Sequence, residues 1–202
     1  MFVSIYGGMK ITVYNFKGGV GKSTIALNYA LTCGYGVVTN DVHNRIDRVL
    51  PEGRAVRLAP TQDWPSFPSE IEVIFDLGGY LDRRAIAAME QSDVLILPTV
   101  AEMAELETSV ASLREIQQYQ SNIIIVVNKA EKGDLDVVKQ IIDQQGFSYP
   151  VLSLKKTKAL SRIRKTKTSL RELSQQNGLN RYIYGEASAQ FDTIIETAET
   201  KS

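Results

Sequence analysis

The sequence predicts an α/β fold, a mostly parallel twisted β-sheet with helices on both faces. Three observations predict it. Short apolar runs alternate with segments of helical period along the whole length. The runs are rich in Val and Ile and apolar on both faces, as strands buried inside a parallel sheet are. A glycine-rich segment, FKGGVGKST (16–24), falls between the first apolar run and the first helical segment, the context a phosphate-binding loop requires.

The strands are read in order as KITVYNF (10–16), GVVTND (36–41), EVIFDL (72–77), VLILP (94–98) and IIIVV (123–127). Helices are read over 22–33, 82–91, 103–118 and 134–145. Leu106, Val110, Leu113 and Ile116 show the 3.6-residue spacing well. The stretch PTQDWPSFPS (60–69) is a loop on its prolines. No repeat and no domain boundary is visible, so residues 1–202 are read as one domain. Met9 opens the first strong strand and is a candidate start, which leaves residues 1–8 as an extension. Ligands of such sheets bind at the carboxyl ends of the strands.

Composition narrows the function. With 44% hydrophobic and 23% charged residues the chain reads as a soluble globular protein. One cysteine, Cys33, rules out a disulfide framework and fits a reducing, cytoplasmic setting. One histidine, His43, argues against zinc sites and Ser-His-Asp triads, which lean on that residue. No apolar run approaches the ~18 residues of a membrane span, and MFVSIYGGM lacks the features of a signal peptide. Net charge is zero, which excludes a uniformly basic protein but not a local basic patch.

The phosphate loop carries the chemistry. Gly18, Gly19, Val20 and Gly21 let backbone N–H groups close on phosphate oxygens, and the following helix adds its positive end. Lys22 reaches the β- and γ-phosphates, and the hydroxyl of Ser23, followed by Thr24, ligates Mg²⁺. The general motif has glycine at position 16, where this chain has Phe16. A second lysine, Lys17, follows it.

KGGVGKST resembles the deviant Walker A loop of the ParA/MinD family of ATPases. The resemblance implies ATP and Mg²⁺ as cofactors, and ATP hydrolysis that is weak and stimulated by a partner. It also implies that Lys17 crosses the interface of an ATP-sandwiched homodimer to touch the other subunit's phosphates, acting on developing charge as an arginine finger does. VIFDLGG (73–79) resembles the family's Walker B strand. Asp76 then holds Mg²⁺ directly or through water, and Gly78 and Gly79 bring a backbone N–H near the γ-phosphate. SDVLILPTVAEMAEL (92–106) is similar to the following strand and helix. IIIVVNK (123–129) is similar to the strand whose last Asn reads adenine. Asn128 offers the donor and acceptor that adenine's edge needs; the alternative is a turn-forming Asn.

One segment departs from the family. VVTNDVHNRID (37–47) stands where the family has Asp-x-Asp-Pro-Gln. Asp41 matches the first Asp, near the metal. His43 falls on the second, which orients the attacking water. Neutral imidazole accepts a hydrogen bond from water but supplies no negative charge. Hydrolysis is then slow, absent or histidine-assisted, with Asp47 a substitute carboxylate, or His43 is a loop bystander.

The small plasmid partition ATPases are similar in length, and VirC1-like DNA-transfer proteins fit equally well. The acidic tail GEASAQFDTIIETAETKS lacks the cations of a MinD-type membrane helix, so no membrane partner is expected. Residues 155–171, KKTKALSRIRKTKTSLR, hold Lys155, Lys156, Lys158, Arg162, Arg164, Lys165, Lys167 and Arg171 with no acidic residue among them. Leu160, Ile163, Leu170 and Leu173 form a helical stripe by which the segment docks, leaving the cations outward. The run is either a solvated helix face or a surface for non-specific, phosphate-driven DNA binding. The resemblance favours DNA. It also implies nucleoid association and a ParB-like centromere-binding or adaptor partner.

Overall fold

The computed structural model describes residues 8–42 and 45–201. Among the described residues seven strands form one sheet: β1 (Lys10–Val13), β2 (Gly36–Thr39), β3 (Ala55–Arg57), β4 (Val73–Asp76), β5 (Val94–Thr99), β6 (Ile123–Ala130) and β7 (Val151–Lys155). Their order is β3-β2-β4-β1-β5-β6-β7, and every pairing is parallel. Seven helices accompany them: α1 (Lys22–Cys33), α2 (Arg83–Gln91), α3 (Met103–Ile116), α4 (Asp134–Gln144), α5 (Lys158–Thr166), α6 (Leu170–Gln175) and α7 (Gly178–Glu199).

Strand alternation sorts the core into two layers. Ile11, Val13, Ile74, Ile96, Ile124 and Val126 face α1, α5, α6 and α7, meeting Ile25, Ile163, Leu170 and Phe191. Phe75, Leu95, Leu97, Ile123, Ile125 and Val127 face α2, α3 and α4, meeting Met89, Leu113 and Val138. The five strands expected from the sequence are therefore buried on both faces, as their apolar runs require.

Three features differ from the sequence reading. β3 and β7 are edge strands of three and five residues. Each is only partly buried, so neither carries a continuous apolar run. The acidic tail is the long helix α7, whose Ala187, Phe191, Ile194, Ile195 and Ala198 are buried in the core. The basic segment is not one helix. Lys167 takes a left-handed φ of 54° and ends α5, and Ser169 starts α6 with a reciprocal capping box to Glu172. Leu160, Ile163 and Leu170 are buried and Leu173 packs on the same core, so the apolar stripe docks across the break.

β2, β3 and β4 lie on one side of β1, and β5, β6 and β7 on the other. The chain thus switches direction at β1, and a crevice opens at its carboxyl end. No helix among the described residues is long and apolar enough to cross a membrane.

Candidate nucleotide-binding site

The crevice is floored by the loop between β1 and α1. Gly19 and Gly21 take φ of 82° and 102°, a region closed to most side chains. Gly21 is doubly constrained, since a Cβ there would meet Asn128 Nδ2 at 2.1 Å. Its carbonyl accepts from Thr24 and Ile25 N–H at 3.1 and 3.0 Å, so the loop runs directly into the first turn of α1. This turn carries no acidic residue, which leaves the helix's positive end facing the loop.

The two lysines diverge. Lys22 turns back over the loop, and its Nζ donates to the Asn15 carbonyl at 3.0 Å and the Lys17 carbonyl at 2.9 Å. Burial lowers its pKa, while the charges of Asp76 and Asp41 oppose that shift. Lys17 points the other way and pairs with Glu105, in the first turn of α3, at 2.9 Å. A buried polar network fixes α3 against the loop. Asn15 Nδ2 donates to the Pro98 carbonyl at 2.7 Å and to Ser109 Oγ at 2.8 Å. Asn15 Oδ1 accepts from Lys17 N–H at 2.9 Å and Ser112 Oγ at 3.1 Å. Glu105, Ser109 and Ser112, at i, i+4 and i+7, share one face of α3, and the packed structure turns that face to the loop.

Asp76 ends β4 fully buried beside the loop, hydrogen-bonded by Ser23. Burial pushes its carboxyl up to about 6 from a usual value of 3.8, against the pull of the Ser23 hydrogen bond and the Lys22 charge. A carboxyl raised in the folded state gives its full stability below the unfolded pKa, and that stability is lost as pH rises through about 6. Asp76→Asn is therefore expected to stabilise the metal-free protein at pH 8 by on the order of 3 kcal/mol, seen as a higher Tm, with little effect at pH 4. A calorimetric scan at both values checks this, and an unchanged or lower Tm at pH 8 overturns it.

Gly78 N–H donates to Asn40 Oδ1 at 2.7 Å. Gly79 passes the loop so closely that a Cβ would lie 2.5 Å from the Phe16 carbonyl oxygen. Together with Lys22, Ser23, Thr24 and Asp41 these residues line a cavity of about 570 Å³. The donor set fits a Mg²⁺-nucleotide: a hydroxyl and a buried carboxylate in contact, a lysine over the loop, and glycine backbone around it. His43 lies outside the described residues. Asp47 sits exposed in a 3-10 turn, Ile46–Arg48.

A second cavity, of about 380 Å³, adjoins the loop and is lined by Asn128, Lys129 and Leu160 among others. Lys155, Lys156 and Lys158 also line it, so these three members of the basic run border a cavity beside the phosphate loop. Lys155 pairs with Glu186, Lys156 with Glu131 at 3.7 Å, and Arg171 with Asp192 at 2.8 Å. Arg162, Arg164, Lys165 and Lys167 are exposed around α5 and its end. Sequence reasoning missed Glu105 and Lys129; the polar face Glu105-Ser109-Ser112 and the position of Lys129 beside Asn128 were the available signals, but what each one faces is set by packing.

A parallel sheet with a glycine loop, its lysine and a strand-end aspartate at the switch point defines a P-loop nucleotide-binding protein. The sequence profile of the CobQ/CobB/MinD/ParA nucleotide-binding domain matches residues 11–170, and the chain belongs to that family. A search of curated proteins finds no match. Among solved structures, the chain is similar to apo McdA of Cyanothece, with TM-score 0.67 and 12% identity over 94% of this chain and 98% of that one. A putative plasmid partition protein of Borrelia burgdorferi bound to AMPPNP gives 0.61 and 15%, over 96% and 100%. The cell division protein MinD of Aquifex aeolicus gives 0.61 and 14%, over 96% of each. At these identities the likeness is one of fold.

Proposed function

We propose that this chain is a ParA-like ATPase that closes into a homodimer around ATP, binds DNA without sequence preference, and segregates or positions plasmid or chromosomal DNA. The observation that carries the reading is the divergence of the two loop lysines. Lys22 serves its own loop, while Lys17 projects from the rim, 40% exposed, paired with Glu105. Apolar residues around the mouth support an interface: Tyr80 is 85%, Met103 58% and Val42 41% exposed. They follow β4, β5 and β2, at the same edge of the sheet as the cavity. Bound Mg²⁺-ATP supplies the phosphoryl group to be transferred to water. The chain's own residues hold the phosphates (loop backbone, Lys22), hold the metal (Ser23, Asp76, Asp41) and, from a second copy, bring Lys17 to the developing charge.

The α5 cations support the DNA-binding part of this reading. Ala159, Leu160 and Ile163 anchor α5 in the core beside α1, and Lys158 and Ser161 in the same helix line the second cavity. The basic face and the lining of the cavity beside the phosphate loop thus share one helix. A ParB-like or adaptor protein would stimulate turnover. Light scattering with ATP, ADP and no nucleotide tests the central step. A dimer only with ATP is expected, and one mass in all three states overturns the reading.

His43 in place of the family's aspartate motivates a second reading, a nucleotide-operated switch with little hydrolysis. If imidazole positions the water, His43→Ala lowers kcat roughly ten- to a thousandfold at unchanged ATP affinity, and His43→Asp keeps or raises it. An unchanged rate in His43→Ala makes the histidine a bystander. A wild type without turnover, even with DNA and a partner, favours the switch.

A further inference from the structure

We infer that Asn128 and Lys129 are positioning residues for the phosphate loop: together they turn the loop's peptide groups so that its N–H donors face the phosphates. The inference rests on the nucleotide-binding reading above and departs from the expectation that Asn128 serves adenine. Asn128, only 6% exposed at the end of β6, directs its amide at the loop. Its Nδ2 donates to the Val20 carbonyl at 2.8 Å. Its Oδ1 accepts from the Lys129 N–H at 2.9 Å. Both ends of the amide therefore have partners within the protein. Lys129 adopts φ of 58°. That left-handed turn, unfavourable for a residue with a side chain, carries its side chain back over the loop, where Nζ donates to the Gly19 carbonyl at 3.2 Å.

Two adjacent residues thus grip two adjacent loop carbonyls. Every described peptide bond is trans. In a trans peptide the C=O and the following N–H point to opposite sides of one plane. Holding the Gly19 carbonyl toward Lys129 turns the Val20 N–H away from β6. Holding the Val20 carbonyl toward Asn128 does the same for the Gly21 N–H. Glycines on either side of Val20 make these planes easy to rotate in isolation, so the loop needs external fixing to present a preorganised donor set. Gly21 is the counterpart of this grip, since any side chain there would occupy the space of the Asn128 amide.

A base-reading residue and a loop-positioning residue differ in which part of the ligand feels their loss. Binding of Mg²⁺-ATP and of Mg²⁺-tripolyphosphate, which has no base, is measured on the full chain by displacement of a fluorescent ATP analogue. Asn128→Ala is expected to weaken both ligands by the same factor, about tenfold or more, because it removes a buried donor from the loop. Lys129→Met, which keeps the apolar stem, weakens both about threefold, and Lys129→Arg, which keeps a donor, stays within about twofold of wild type. Lys129 is exposed, so its variants test the idea even if the Asn128 variant fails to fold. Loss of ATP affinity alone in Asn128→Ala returns that residue to base reading and overturns the inference. So does unchanged affinity in Lys129→Met, or a wild type that binds ATP but not tripolyphosphate. A wild type that binds neither ligand sinks the nucleotide-binding reading as well.

Discussion

Lys22→Ala is expected to abolish ATP binding, by ~100-fold or more in Kd. The ammonium is the half-buried cation that reaches across the loop, held by the Asn15 and Lys17 carbonyls, and charge-assisted contacts to phosphate are the strongest hydrogen bonds available there. Removing it also takes from the buried Asp76 the larger of the cationic charges that offset its own. Lys17→Ala should behave differently. Its pair with Glu105 is partly exposed, with side chains 40% and 28% accessible, and such pairs contribute little to stability. Monomer affinity and Tm should stay near wild type while ATP-dependent dimerisation or turnover is lost. Calorimetric titration with ATP, followed by sizing and a phosphate-release assay, separates the two variants. An equal loss of ATP affinity in both would remove the trans-acting role assigned to Lys17.

Replacing Arg162 and Lys165 with Glu should eliminate DNA binding while sparing the ATP dimer; Arg164 is left in place because its charge also acts on the buried Asp76. Each substitution reverses a charge, so the local change is four units on one exposed helix. Wild-type binding should require ATP, because a dimer places two α5 helices on one duplex. It should weaken steeply with salt, since each neutralised phosphate contributes about −0.9 to the log–log slope. Lys155, Lys156 and Arg171 are expected to contribute less, because their charges are already paired with Glu186, Glu131 and Asp192. Fluorescence anisotropy across a salt series, with ATP, ADP and no nucleotide, tests this. Equal affinity in all three states, or insensitivity to salt, contradicts it. No binding with ATP at low salt returns the run to a solvated surface.

How much was legible follows from what each feature depends on. The central strands, the loop 16–24 and helices α1 to α4 could be read because local pattern and burial coincide there. Ile123 to Val127 can only be a core strand, and glycines beside Lys22 and Ser23 can only be a turn into a helix. β3 and β7 were invisible because an edge strand keeps its hydrogen bonds to one neighbour and gives up half its apolar surface. The continuous basic helix failed for a different reason. Its apolar spacing is consistent with one helix, but Ser169 and Glu172 form a capping box that favours a restart.

For the site, the sequence by itself determined the phosphate loop, its two lysines, the strand-end Asp76 and the presence of a basic run, since each is written in contiguous residues. Only the tertiary structure decided what those residues face. Lys17 meets Glu105, Asn128 meets Val20, and Lys155 and Arg171 meet carboxylates 31 and 21 residues further on. These pairings join positions from α3, β6 and α7 that no local spacing relates. They form because the sheet order brings β6 beside β5 and the two layers of helices close over it, so the partner of each charge is set by packing and not by its neighbours in the chain.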